Sequence, residues 1–212
     1  MVNHILNFFF PPLCLHCRSV LIHSHNPLCE LCVSQLELIE PEERCIYCFG
    51  SLDDSLAKIC PECYCRYPAY HHIASVFDYE GPFASLIKHF KYHNKPWLSE
   101  GIASYLLYQL VNLNWPIPDI IVPMPICWPH WIERGYNQCL LLAKELAKLL
   151  NVPLLDPLKR KSTEYSQAGK SKWQRLQLPT DCFSIDSKLS GNFKGKNILP
   201  VSYTHLTLPT KA

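Results

Sequence analysis

Four Cys-x-x-Cys pairs precede residue 64: Cys14/Cys17, Cys29/Cys32, Cys45/Cys48 and Cys60/Cys63. Adding 31 to each cysteine number of the first two pairs gives the last two, so the unit C-x2-C-x11-C-x2-C occurs twice. No other feature restricts the fold as much. Two cysteines flanking two residues fit one tight turn and offer two thiolates to one ion. A second such turn completes the tetrahedron that Zn²⁺ prefers. A unit of this length buries too little apolar surface to fold unaided, so metal ligation supplies its folding energy. Consecutive grouping, Cys14/Cys17/Cys29/Cys32 and Cys45/Cys48/Cys60/Cys63, is the reading adopted for the two structural Zn²⁺ sites. Crossed pairing also satisfies the spacing, and Cys65 can stand in for Cys63. Cys127, Cys139 and Cys182 stand alone and read as core or surface residues.

The other use of paired cysteines is a disulfide-stapled module, which needs export. The opening stretch, MVNHILNFFFPPLC, has no Lys or Arg, and its apolar run stops at Pro11-Pro12. It does not read as a convincing export signal, and no uncharged apolar run reaches the ~18 residues of a membrane span. A soluble, cytoplasmic protein is expected, where twelve cysteines argue for metal rather than disulfides. With 48% apolar and 18% charged residues among 212, the chain can build one ordinary domain plus a small one.

Charge is divided unevenly. Residues 1–69 hold four basic and eight acidic residues, a net of −4, and the rest carries +6. Four thiolates on each Zn²⁺ would make the first part more negative still. A module that grips nucleic-acid phosphates should be basic, so the cysteine-rich part reads as a structural or docking module.

Residues 66–72 read as a linker. HHIASVFDYE (71–80) has the alternation of a strand, with Ile73, Phe77 and Tyr79 on one face. Gly81-Pro82 then opens a helix with Phe83, Leu86, Ile87 and Phe90 on one stripe and Lys88 and Lys91 off it. Ser99 is expected to cap a second helix over about 100–112, with Ile102, Ala103, Leu106 and Leu110 inward. PDIIVPMP (118–125) reads as a buried parallel strand. Asn137 caps a third helix through Leu150, burying Leu140, Ala143, Leu146, Ala147 and Leu150, and VPLLD (152–156) is another strand. Strands alternating with helices indicate an α/β domain with a mostly parallel sheet, which binds ligands at the carboxyl ends of its strands. Residues 159–175 hold six basic residues and one acidic one with no apolar period. This stretch is either a solvated loop or a basic lid over an anionic substrate.

VPMP (122–125), RGYNQ (134–138), and the basic stretch with Arg160, Thr163, Gln167 and Arg175 follow in order. With the eight-cysteine preface, Phe77–Gly81 and LIKHFKY (86–92), the chain resembles the ComF/GntX family of phosphoribosyltransferase-like proteins over nearly its whole length to Leu199. The resemblance implies an α/β fold: a small double zinc ribbon (1–66), then an incomplete type I phosphoribosyltransferase-like parallel-sheet domain (67–199). Pro123, Met124 and Pro125 would hold the pyrophosphate of phosphoribosyl pyrophosphate through backbone groups, beside Asn137 and Gln138. Arg134, Arg160 and Arg175 would act on the leaving group, and residues 160–175, Gln167 included, would cover the site. The implied chemistry is displacement of Mg²⁺-pyrophosphate at ribose C1, where negative charge develops on the leaving group and cations stabilise it. The family's Asn three residues beyond the loop's second arginine is Leu178 here. From the residues alone, Asn137 is also a helix cap, Gly135 a turn residue, and Arg134 a partner for Glu133 or Asp119.

The resemblance also implies a strand leading into an acidic pair and a Thr-Thr-Gly turn for the ribose and its 5-phosphate, and no such Asp-Asp/Thr-Thr-Gly segment occurs in the 212 residues. Residues 200–212, VSYTHLTLPTKA after Pro200, look like translated adapter read-through. The expectation is a native chain on the order of 30 residues longer, enough for a crossover helix and a further strand. The family's link is to natural competence. A second reading is a non-catalytic adaptor or single-stranded DNA binder, with Tyr92, Trp97, Trp131, Tyr136 and Trp173 as a stacking groove among the basic residues. A competence-machinery protein is the other expected partner.

Overall fold

A computed structural model describes residues 11–23, 25–52, 57–68, 70–160, 182–186, 189 and 193–202. The sequence repeat is a structural repeat. The bridge Leu13–Val20 recurs as Arg44–Ser51, and the amide bond Cys14 to Ser19 recurs as Cys45 to Gly50. Each first knuckle turns through one residue of positive φ, Arg18 at 67° and Phe49 at 57°. Each second pair opens a short helix, α1 (Glu30–Val33) and α2 (Pro61–Cys65), with Cys29 and Cys60 at the N-cap.

The remaining described elements are α3 (Gly81–Tyr92), α4 (Leu98–Asn112), β1 (Ile120–Pro123), α5 (Trp128–Arg134), α6 (Gln138–Leu150), β2 (Leu158–Arg160), β3 (Phe183–Ile185) and β4 (Ile198–Val201). β1 is buried along its whole length and pairs in parallel with β4, while β2 and β3 pair antiparallel. Helix α6 packs on β1 and β4 and lies against α4. α3 buries the expected stripe Phe83, Leu86, Ile87 and Phe90. The buried face of α6 centres on Cys139, Leu142, Ala143, Leu146 and Ala147, leaving Leu140 and Leu150 half-buried.

Four local expectations differ from the structure. Residues 71–80 form no strand, because their backbone bonds go elsewhere: Ile73 donates to the Tyr47 carbonyl and Val76 accepts from Ile39. Ser99 is not a cap. Helix α4 begins at Leu98, and the Ser99 hydroxyl donates to the Pro96 carbonyl at 2.8 Å. Residues 152–156 make a single bridge, Leu154 to Ile121, rather than a strand. Pro200 and Val201, assigned above to the tail, lie in strand β4, and Val201 is 5% exposed. Asn197 and Val201 turn their carbonyls to β1, so by alternation Pro200 turns its nitrogen to the far edge, where no donor is required.

The apolar core crosses the expected linker. Cys14, Leu21, Leu28 and Cys32 share one cluster with Val76, Phe83, Ile87, Phe90, Leu142 and Leu146. Polar ties reinforce it: His16 to Ser85 at 2.9 Å, Arg44 to Asp78 at 2.7 Å, and the buried Gln109, whose Nε2 donates to the carbonyls of both Ile39 and Ser75 at 3.1 Å. No helix among the described residues is long and apolar enough to cross a membrane.

Candidate functional site

The eight cysteines gather as two sets of four, Cys14/Cys17/Cys29/Cys32 and Cys45/Cys48/Cys60/Cys63, each with its sulfurs within 4.8 Å of one another. The consecutive grouping therefore holds, and Cys65 lies exposed outside both sets. No disulfide joins any of the twelve cysteines. Sγ separations of 3.6 Å (Cys17–Cys29) and 3.7 Å (Cys48–Cys60) match the ~3.8 Å edge of a tetrahedron with Zn–S near 2.3 Å. Backbone N–H groups donate to the sulfurs: Cys29 to Cys14 and Cys60 to Cys45, both at 3.4 Å.

These contacts divide the thiols. The Ser19 hydroxyl, then the Cys32 amide, bring Cys29 down to about 6. Burial would raise Cys45, but N–H groups of Cys48, Cys60 and Tyr47 outweigh it and bring it to about 7. Cys32 is pushed up to about 12 by burial and then by its neighbouring thiols, and Cys63 is raised for the same reasons. Four thiols this close cannot all ionise unless a cation joins them, and a tetrahedral set of soft donors suits Zn²⁺.

The second constellation lies at the carboxyl end of β1. Asn137 is the N-cap of α6: its Oδ1 accepts from Cys139 N–H at 3.0 Å while its Nδ2 donates to the Met124 carbonyl at 3.2 Å. Gly135, at φ 74°, closes α5 in the left-handed conformation and sets the turn between the helices. Arg134 Nη1 reaches Gln138 Oε1 at 3.4 Å, and its guanidinium lies 5.3 Å from the centre of the Tyr92 ring. Glu133 is paired with His130, and Asp119 accepts from Asn197 N–H and pairs with Lys196. Gln138 is wholly buried, and its Nε2 has no hydrogen-bond partner among the described residues.

A cavity of about 110 Å³ opens beside Arg134, lined by Lys91, Tyr92, Asn94 and Glu133. Lys91 is no freely solvated surface cation: burial first, then the Arg134 charge, bring its ammonium from 10.5 to about 8. Two cations converging on one small cavity favour an oxyanion there. The sequence does not mark Lys91 as a site residue, and it marks Tyr92 only as a stacking aromatic. Their link to Arg134 spans about forty residues, and the FKY run alone hints at it.

The structure thus joins Met124, Arg134, Asn137 and Gln138. The expected backbone grip on pyrophosphate needs revision, however. Pro123 and Pro125 have no N–H, and the Met124 N–H donates to the Val201 carbonyl at 2.9 Å. The first N–H groups past this loop belong to Ile126 and Cys127. Arg160 sits at the end of β2, opposite Phe183 in register and 5.9 Å from its ring centre. Gln167 and Arg175, with the rest of 161–181, lie outside the described residues, as does Trp173.

No family model matches the sequence. Among curated proteins, the chain is 32% identical over 183 residues to Competence protein F of Haemophilus influenzae, covering 84% of this chain and 78% of that one. It is 30% identical over 146 residues to DNA utilization protein YhgH of Salmonella typhi, covering 66% and 62%, so the chain spans under two thirds of that relative. Competence protein ComFC of Bacillus subtilis is 25% identical over 86% of this chain. Two four-cysteine clusters ahead of a parallel strand pair with its helices, and this extent of similarity, place the chain in the competence protein F (ComF) family.

Proposed function

We propose that the chain takes part in handling DNA during competence and holds the pyrophosphate end of phosphoribosyl pyrophosphate beside Arg134. The names of the relatives, competence and DNA utilization proteins, support the first half of this reading. The observation that carries the second is the cavity lined by both Arg134 and Lys91. Gln138, wholly buried, accepts from the Arg134 guanidinium through its Oε1 and so helps to orient it. Mg²⁺ would arrive with the diphosphate and neutralise part of its charge. Arg134, held in plane by Tyr92 and Gln138, would stabilise charge developing on the leaving group; Arg160 and Arg175 would close over it from the basic stretch. Asn137 would act through Met124, fixing the strand-end loop.

The test is calorimetry with Mg²⁺-pyrophosphate and with phosphoribosyl pyrophosphate. Binding that Arg134→Ala weakens at least tenfold is expected. Identical binding by wild type and Arg134→Ala would refute the assignment of this cavity.

Trp128 and Trp131 favour a second reading. Their rings stack at 5.4 Å and 13°, exposed by 64% and 47%. With Arg134 they form an i, i+3, i+6 series, a platform for unpaired bases next to a cation. Single-stranded DNA binding that weakens with salt and with Trp131→Ala is expected; binding unchanged by that substitution would remove this reading.

A further inference from the structure

The second cysteine knuckle, the linker and the end of α4 share an aromatic surface that neither reading above uses. Tyr47 packs edge-on to Tyr67 at 5.6 Å and stacks on His72 at 6.2 Å, and His72 leans on Trp115 at 5.5 Å. The ladder is fixed in place: His72 Nδ1 donates to the Ile46 carbonyl at 2.8 Å and Ile73 N–H to the Tyr47 carbonyl at 2.8 Å. It is also open, since Tyr67 is 63% exposed. Rings held rigid before a partner arrives lose little entropy on binding. Such an array next to solvent marks a recognition surface rather than a core.

Charge decides what it recognises. The part of the chain bearing Tyr47 and Tyr67, residues 1–69, has a net charge of −4. Aromatic faces attract cations, guanidinium groups above all. Phosphate backbones are repelled by a surface of this sign. We propose that the Tyr47–Tyr67–His72–Trp115 face docks a basic, arginine-bearing segment of a protein partner. The guanidinium stacks on the exposed Tyr67 ring, and the negative field of the cysteine-rich part orients the segment. Nucleic acid then belongs to the opposite sign of surface, on the later two thirds of the chain.

The experiment titrates the whole chain with a fluorescein-labelled Gly-Arg repeat peptide, reading anisotropy, and in a separate titration with labelled oligo-dT. Wild type binds the peptide, and Tyr67→Ala leaves oligo-dT binding unchanged. Tyr67→Ala weakens binding roughly fivefold, the size of one lost cation–π contact. Tyr67→Phe, which keeps the ring, binds as wild type does, as does Trp128→Ala on α5. Tyr67 is exposed, so neither change at that position threatens the fold. The proposal is overturned if wild type does not bind the peptide, if Tyr67→Ala binds it equally well, or if Tyr67→Ala weakens oligo-dT binding.

Discussion

Asn137 ties Met124 to the first turn of α6: one side chain donates to the Met124 carbonyl at 3.2 Å and accepts the Cys139 amide at 3.0 Å. The two bonds are separable by substitution. Asn137→Ala removes both and should destabilise by about 1–2 kcal/mol. Asn137→Ser keeps a cap but not the donor, and should lose roughly half as much. Urea unfolding of the pair measures the difference. Equal stability of the Ala and Ser variants would mean that the cap contributes nothing here.

Gln109 is the only described side chain that bridges Ile39 and Ser75, and it is 3% exposed. Gln109→Leu fits a similar volume but strands two buried carbonyls. A loss of about 2–3 kcal/mol is expected, since each unsatisfied group costs roughly 1–3 kcal/mol. Hydrogen exchange should show it first at the Ile39 amide, which donates to the Val76 carbonyl where the cysteine-rich part meets α4. Exchange rising uniformly over the chain instead would show that Gln109 serves general stability.

Metal content gives a sharper readout. Two four-cysteine sets imply two zinc equivalents per chain. Cys14→Ser and Cys45→Ser, each at a fully buried ligand, should each leave one, and Cys65→Ser should leave both. Atomic emission on the gel-filtered protein decides. A chelator should lower the melting temperature, and acid should release the metal, because protons compete for the thiolates. Cys14, Leu21, Leu28 and Cys32 belong to the same core cluster as Phe83 and Ile87. Zinc loss from the first set should therefore loosen α3 as well.

What could be read in the sequence was what depends on neighbours in the chain. The cysteine knuckles are two-residue spacings, the cap at Asn137 is a two-residue bond, and β1 is a short β-branched run closed by prolines. What could not be read depends on distant partners. Residues 71–80 alternate like a strand, yet Ile73 and Val76 bond to Tyr47 and Ile39, and no ladder forms. Gln109 in a helix reads as a surface residue until its two carbonyls, 70 and 34 positions away, come to it. Met124 looks like a phosphate-binding amide until Val201 takes that amide. At the site, Arg134, Asn137 and Gln138 were visible as a motif, whereas Lys91 and Tyr92 join them only through the ring contact of Tyr92 with Arg134 and the cavity they share.

Lys91 supplies the last prediction. Burial and the Arg134 charge bring it from 10.5 to about 8. In the unfolded chain it keeps the ordinary value, so between pH 8 and 10.5 the folded state binds fewer protons than the unfolded one. Stability from this group therefore rises with pH across that window, and the full penalty of the buried ammonium is present below it. Lys91→Met should stabilise the protein at pH 7, by on the order of 2 kcal/mol, and the gain should vanish above the window. An oxyanion in the cavity reverses the balance, because it favours the charged lysine. NMR titration of the Lys91 side chain should therefore show its pKa climbing when Mg²⁺-pyrophosphate is added. It should also climb in Arg134→Ala, which removes the repelling charge. A Lys91 that titrates at its ordinary value in the free protein would dissolve the link between this cavity and anion binding.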